Sequence, residues 1–155
     1  MVMRGGTSKG AFFLSDDLPA DPEERDALLL AVMGSPDVRQ IDGIGGATPL
    51  TSKVAVINRS VRSDADIDYL FLQVSVDQAL VSDRQNCGNL LAAAAQFAVE
   101  RGLIVVTGAH KSVRVYMSST ASVGTSASPI KLVVRVLVEK NAIDGVPRPA
   151  ARVQL

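Results

Sequence analysis

Residues 90–99 read Leu-Leu-Ala-Ala-Ala-Ala-Gln-Phe-Ala-Val, a run in which only Gln96 is polar. Wound into a helix, it points apolar side chains in nearly every direction. Such a helix has no face to give to water and has to be buried all round. It is too short to cross a bilayer, which takes about 20 residues, so its cover has to be protein. The helix is predicted over 87–101, starting at Cys87 and ended by Gly102. The segments on either side are short and rich in Val, Ile, Tyr and Phe, which makes the cover a sheet.

Strands are predicted over 2–4, 11–14, 53–58, 67–76, 103–107, 112–118 and 130–139, with a short return strand at 79–81 and a last one at 152–155. The first two form a hairpin with a glycine-rich tip over 5–10. A second helix precedes the loop at 42–52. Asp21 is its N-cap, Pro22 takes the first helical position and Glu24 the third, a capping arrangement in which Glu23 and Glu24 also complement the helix dipole. Leu28, Leu29, Val32 and Met33 give it one apolar face, and Gly34 followed by Ser-Pro stops it. Residues 141–149 are turn-rich, and no internal repeat is found. The predicted fold is mixed α+β: a curved, mostly antiparallel sheet wrapped around a central buried helix, rather than an alternating parallel array. Its 155 residues suit one domain.

Composition removes several kinds of function. Sixteen Lys and Arg balance 16 Asp and Glu, so there is no basic footprint for nucleic acid or for an anionic membrane surface. Aromatics are 4% and Trp is absent, which leaves little for base stacking. One Cys and one His cannot make an internal disulfide, a Cys-x-x-Cys pair or a zinc site of two cysteines and two histidines. The first ten residues carry no signal-peptide pattern, and a lone thiol suits a reducing compartment, so a cytoplasmic protein is expected.

Three glycine-containing segments remain: Met3-Arg-Gly-Gly-Thr-Ser-Lys-Gly10, Ile41-Asp-Gly-Ile-Gly-Gly-Ala-Thr-Pro-Leu-Thr-Ser-Lys53 and Asn86-Cys-Gly-Asn89. In each the backbone can approach a ligand closely. Cys87 sits at a helix start, where unpaired N–H groups and the helix dipole favour a thiolate; the same residue also fits a small buried core position. Gly88 and Asn89 add amides that could hold a carboxylate. Lys53 opens a strand after the glycine loop, placed either to exchange protons at a desolvated rim or simply to project from a strand end. Neither glycine loop is a nucleotide site. The first lacks the phosphate-loop order and precedes a strand, and the second has Thr48 where the dinucleotide fingerprint needs glycine. His110 falls in a predicted turn, and Asp64, Asp66 and Asp68 in a solvated one that could at most bind a cation.

Together the three segments, in this order, are similar to the PrpF family, which includes 2-methylaconitate cis-trans isomerases and 4-oxalomesaconate tautomerases. Asp68-Tyr-Leu-Phe-Leu-Gln-Val and Phe97-Ala-Val-Glu-Arg-Gly-Leu also fit its pattern. The resemblance is close over about residues 1–110 and weaker beyond. It implies a diaminopimelate-epimerase-like fold of two lobes, each a curved sheet on a central helix, with the site between them. It implies cofactor-free proton transfer on an unsaturated di- or tricarboxylate, with no cofactor and no metal. Lys53 and Cys87 would be the acid–base pair, and Gly5, Gly6, Thr7, Ser8, Gly88 and Asn89 the substrate-binding set. The loop Ile44-Gly-Gly-Ala-Thr-Pro-Leu-Thr-Ser-Lys looks closer to the tautomerase branch, acting in aromatic acid breakdown, than to the methylaconitate branch. Ala94-Ala-Gln-Phe departs from the Gly-Pro-Phe often found in relatives, a change in helix packing. Family chains are about twice as long, so residues 1–155 are expected to be a single N-terminal lobe with most of the second lobe absent. That lobe would be a silent fragment, a homo-oligomer, or a half that works by pairing with a second lobe.

Overall fold

Alternation along the central strands decides what the sheet can carry. In the computed structural model, which describes residues 1–105, 110–118, 130–135, 144 and 153–154, both faces of the middle strands are buried. The elements run β1 (Val2–Gly5), β2 (Ser8–Leu14), α1 (Pro22–Met33), β3 (Lys53–Arg59), β4 (Ile67–Val74), β5 (Val81–Ser82), α2 (Gly88–Glu100), β6 (His110–Met117), β7 (Ile130–Arg135) and β8 (Val153–Gln154). Among the described residues the strands join one mixed sheet in the order β1-β2-β3-β4-β6-β7-β8, with β5 also paired to β4. The β2–β3 and β4–β6 pairs are parallel and the rest antiparallel.

Successive side chains on β3 go to opposite faces. Val54 and Val56 join Ala11, Leu29, Met33, Leu72 and Val74 beneath α1. Ala55 and Ile57 join Phe12, Tyr69, Phe71, Leu90, Leu91, Phe97 and Ala98 around α2. The edge strand β1 and the distant β7 both touch α2, as do β2, β3 and β4, so the sheet curls about this helix. Phe12 and Phe97 pack ring to ring at 5.6 Å. Burial of side chains such as Leu90, Leu91 and Phe97 stabilises by about 1.5–3 kcal/mol each. The central buried helix and the α+β class therefore hold. One narrow stripe on α2 departs from burial all round: Gln96 and Glu100 are exposed, and Ala92 and Val99 are half-buried.

Several boundaries differ from the sequence expectation. The hairpin tip is only Gly6 and Thr7, because Gly6 takes the left-handed conformation (φ 52°) and lets Ser8, Lys9 and Gly10 join β2. On α1 the buried face is Leu29 and Met33 with Leu30 packed beside them, while Leu28 is 40% exposed; the i, i+4 pair sets the face, and Leu28 lies about 100° away from Leu29. Residues 103–105 form no strand. The Leu103 and Ile104 amides both bond the Ala98 carbonyl after Gly102 turns left-handed at φ 73°, so these apolar residues close α2 instead. His110 begins β6 rather than lying in a turn; its side chain, residues 106–107 and 136–139, and the turn-rich stretch 141–149 apart from Asp144 lie outside the described residues. No helix among the described residues is long and apolar enough to cross a membrane.

Candidate active site

Lys53 is paired in register with Gly10 on β2 and Gln73 on β4. It lies two residues before Ala55, so it shares the face that packs on α2. Gly10 keeps that corner tight: a Cβ there would come within 2.7 Å of the Lys53 carbonyl oxygen and 2.9 Å of Leu90 Cδ2. The Lys53 side chain is half-buried over the Phe71 ring, with Nζ 5.6 Å from its centroid, and Nζ donates to Cys87 Sγ at 3.3 Å. The two candidate acid–base residues, 34 positions apart, are thus in direct contact.

Cys87 is the N-cap of α2, in extended backbone conformation and 8% exposed. Its carbonyl accepts the first helical bond from Leu91 N at 3.0 Å and a second from the buried Tyr69 hydroxyl at 3.3 Å. Burial, with a smaller contribution from the neighbouring Cys87, pushes the Tyr69 phenol far above its ordinary range, so Tyr69 stays a hydrogen-bond donor. The Cys87 side chain makes no capping bond. The Gly88 and Asn89 amides have no partner among the described residues, and both residues are exposed. A helix start with open N–H groups attracts an anion.

The hairpin tip closes this corner from the other side. A Cβ on Gly5 would strike the Asn89 carbonyl oxygen, and one on Gly6 would strike Asn89 Oδ1, so both positions need glycine. Asn89 Nδ2 donates to Thr7 Oγ1 at 3.0 Å and clamps the tip to the first turn of α2. Ser8 pairs with Gly5 and so shares its face; it is 1% exposed, and its hydroxyl has no partner among the described residues. An unsatisfied buried hydroxyl costs about 1–3 kcal/mol unless a ligand or water takes it. All eight sequence-derived site residues therefore gather at one end of the sheet, around the start of α2.

Three buried groups at this end had no role in the sequence reading: Tyr69, Gln40 and Ser52. Tyr69 carries the only local signal, since an aromatic hydroxyl on a core strand has to find a partner. The acidic run divides among separate neighbours: Asp64 pairs with Arg62, Asp66 with Arg114, and Asp68 accepts from Asn58. No group of three potential metal ligands occurs among the described residues. A surface groove bounded by Arg59, Asp66, Leu103 and Ile104 lies at the far end of β3, and none of the eight residues gathered around the start of α2 lines it.

Comparison with known proteins adds an independent line. The family model described as PrpF protein matches residues 1–155. The (4E)-oxalomesaconate Delta-isomerase of a Novosphingobium species is 57% identical over 147 residues, covering 95% of this chain and 41% of that protein. The 4-oxalomesaconate tautomerase of Pseudomonas putida is 56% identical over 151 residues, covering 97% of this chain and 42% of that protein. The chain thus spans less than half the length of these relatives. A crystal structure of methylitaconate-delta-isomerase superposes with a TM-score of 0.88 at 42% identity, over 97% of this chain and 67% of that one.

Proposed function

The chain belongs to the PrpF family, and on that premise we propose that it forms the catalytic half of an isomerase that shifts a proton within an unsaturated di- or tricarboxylate such as 4-oxalomesaconate. The observation that carries this reading is the 3.3 Å contact between Lys53 Nζ and Cys87 Sγ beside two open helix amides. A keto–enol or 1,3-allylic shift needs one group to take a carbon-bound proton and another to return a proton elsewhere. An amine and a thiol supply both. Because they touch, a proton passes between them directly and restores the starting charges after each turnover. The Gly88 and Asn89 amides and the Thr7 and Ser8 hydroxyls then serve as donors to a substrate carboxylate and to the oxygen on which enolate charge develops. This chemistry asks for no cofactor.

The names of the relatives support an oxalomesaconate-type substrate over 2-methylaconitate, as does the Ala-Thr-Pro-Leu wording of the loop before Lys53. A second reading follows from the 41–42% coverage of those relatives: residues 1–155 are one lobe, and the opposite wall of the cleft comes from a second lobe. That wall would exclude water and hold the far carboxylate. On this reading the protein works in the reducing cytoplasm, where the thiol stays free.

The test is solvent-deuterium incorporation into 4-oxalomesaconate, followed by NMR, in a two-lobe protein that carries this chain as its first lobe. Lys53→Ala and Cys87→Ser are each expected to slow incorporation by about 10²–10⁴-fold. Incorporation that neither substitution changes would overturn the assigned roles.

A further inference from the structure

We propose that Gln40 is a positioning residue for this site: through Ser52 it fixes the start of β3 and with it the reach of Lys53 to Cys87. The inference rests on the acid–base reading of that pair. Gln40 is 1% exposed and holds a left-handed backbone (φ 47°) that side-chain-bearing residues rarely adopt. Its amide is almost fully used. Oε1 accepts from Ala47 N at 2.9 Å, and Nε2 donates to Ser35 Oγ at 3.1 Å and to Ser52 Oγ at 2.7 Å. Gly45 makes room for it, because a Cβ there would strike the Gln40 amide.

Ser52 passes the constraint on. Its hydroxyl, also fully buried, donates to the Val74 carbonyl at 2.9 Å. Its own carbonyl accepts from Val74 N at 3.2 Å and from Gln73 Nε2 at 2.8 Å. The next residue is Lys53, whose side chain turns to the opposite face and reaches Cys87. One glutamine amide therefore ties the end of α1 (through Ser35), the glycine loop (through Ala47) and the first residue before the catalytic strand into a single network. The neighbours on this face are apolar: Met33, Val54, Leu72 and Val74. An apolar side chain in place of Gln40 would fill the space but would not set a direction, whereas hydrogen bonds in a low-dielectric interior do. The loop has no regular secondary structure to hold its course, so the network does so.

The test reads the Lys53–Cys87 contact itself in the folded chain. Cys87 is the only cysteine, so its rate of alkylation by iodoacetamide at pH 7 is a site-specific signal. A neighbouring ammonium favours the reactive thiolate, so Lys53→Met, which removes the 3.3 Å contact, is expected to slow the reaction about 10-fold. Gln40→Leu and Ser52→Ala are each expected to slow it about 3-fold, and neither is expected to slow it further in the Lys53→Met background. Val56→Ala, a core truncation on the same face, is the control for lost stability alone and is expected to leave the native-state rate at the wild-type value. Ser52→Ala keeps the test open should Gln40→Leu fail to fold. Wild-type reactivity in folded Gln40→Leu or Ser52→Ala, or slowing that persists undiminished without Lys53, overturns the positioning role alone. A Lys53→Met rate equal to wild type overturns the pairing on which both readings stand.

Discussion

The two helices start in opposite ways. At α1 the Asp21 carboxylate accepts from the Glu23 and Glu24 amides, both at 3.0 Å, Pro22 occupies the first turn, and the two glutamates face the positive end of the dipole. At α2 the N-cap is Cys87, its side chain makes no capping bond, and no acid lies in the first turn. The well-capped helix is the peripheral one, with only Leu29 and Met33 buried; the open one has seven buried residues. A missing cap costs about 1 kcal/mol. Burial of Leu90, Leu91 and Phe97 offsets that several times over. A helix held by its sides can leave its end open for a ligand, and the helix that can tolerate open donors is the one that presents them to the candidate site.

If that contrast is sound, α2 depends on its sides and α1 on its end. Leu91→Ala, at a site 2% exposed, is expected to destabilise by about 2–5 kcal/mol, while Leu28→Ala on α1, 40% exposed, stays within about 0.5 kcal/mol. Urea unfolding of both variants checks the pair, and equal losses break the contrast. Asp21→Ala is expected to cost about 1 kcal/mol, a drop in Tm of roughly 2–4 °C for a chain of this size, with the Cys87 alkylation rate unchanged. The smallest effect concerns the turn leading into the glycine loop. The Arg39 and Ile41 amides donate to the Asp37 carboxylate and hold it below its ordinary value of 3.8. Because its folded-state value is the lower one, this contribution is present in full above the ordinary value and is lost as pH falls through the folded one. The Arg39 and Ile41 amide shifts, followed by NMR between pH 6 and pH 2, are expected to titrate together in the wild type and to lose that step in Asp37→Asn.

How much of this was legible beforehand depended on how far each cause lies along the chain. Asp21, Pro22 and Gly34 act on residues within one turn of themselves, and the bounds of α1 follow from them. The central burial of α2 was legible for the same reason, since its composition demands cover on most sides, although Gln96 and Glu100 stay exposed along one narrow stripe. Leu103 and Ile104 misled because short apolar runs suit a strand and a helix closure equally, and only the left-handed Gly102 decides between them. The Gln40 network was not legible: its partners Ser35, Ala47 and Ser52 are 5, 7 and 12 residues away, and nothing local announces that the amide will be buried. Lys53 and Cys87 stood between functional and structural readings when judged singly. The family resemblance joined them before the 3.3 Å contact did.

The contrast has one direct test, the single substitution Cys87→Ser measured for stability and for proton exchange. Serine keeps the shape, supplies the absent cap and removes the thiol. The account expects Tm to hold or rise by roughly 2–4 °C while deuterium incorporation into 4-oxalomesaconate falls by about 100-fold or more. A variant that loses stability yet keeps its exchange rate would contradict it, because Cys87 would then be a core residue at an ordinary helix start.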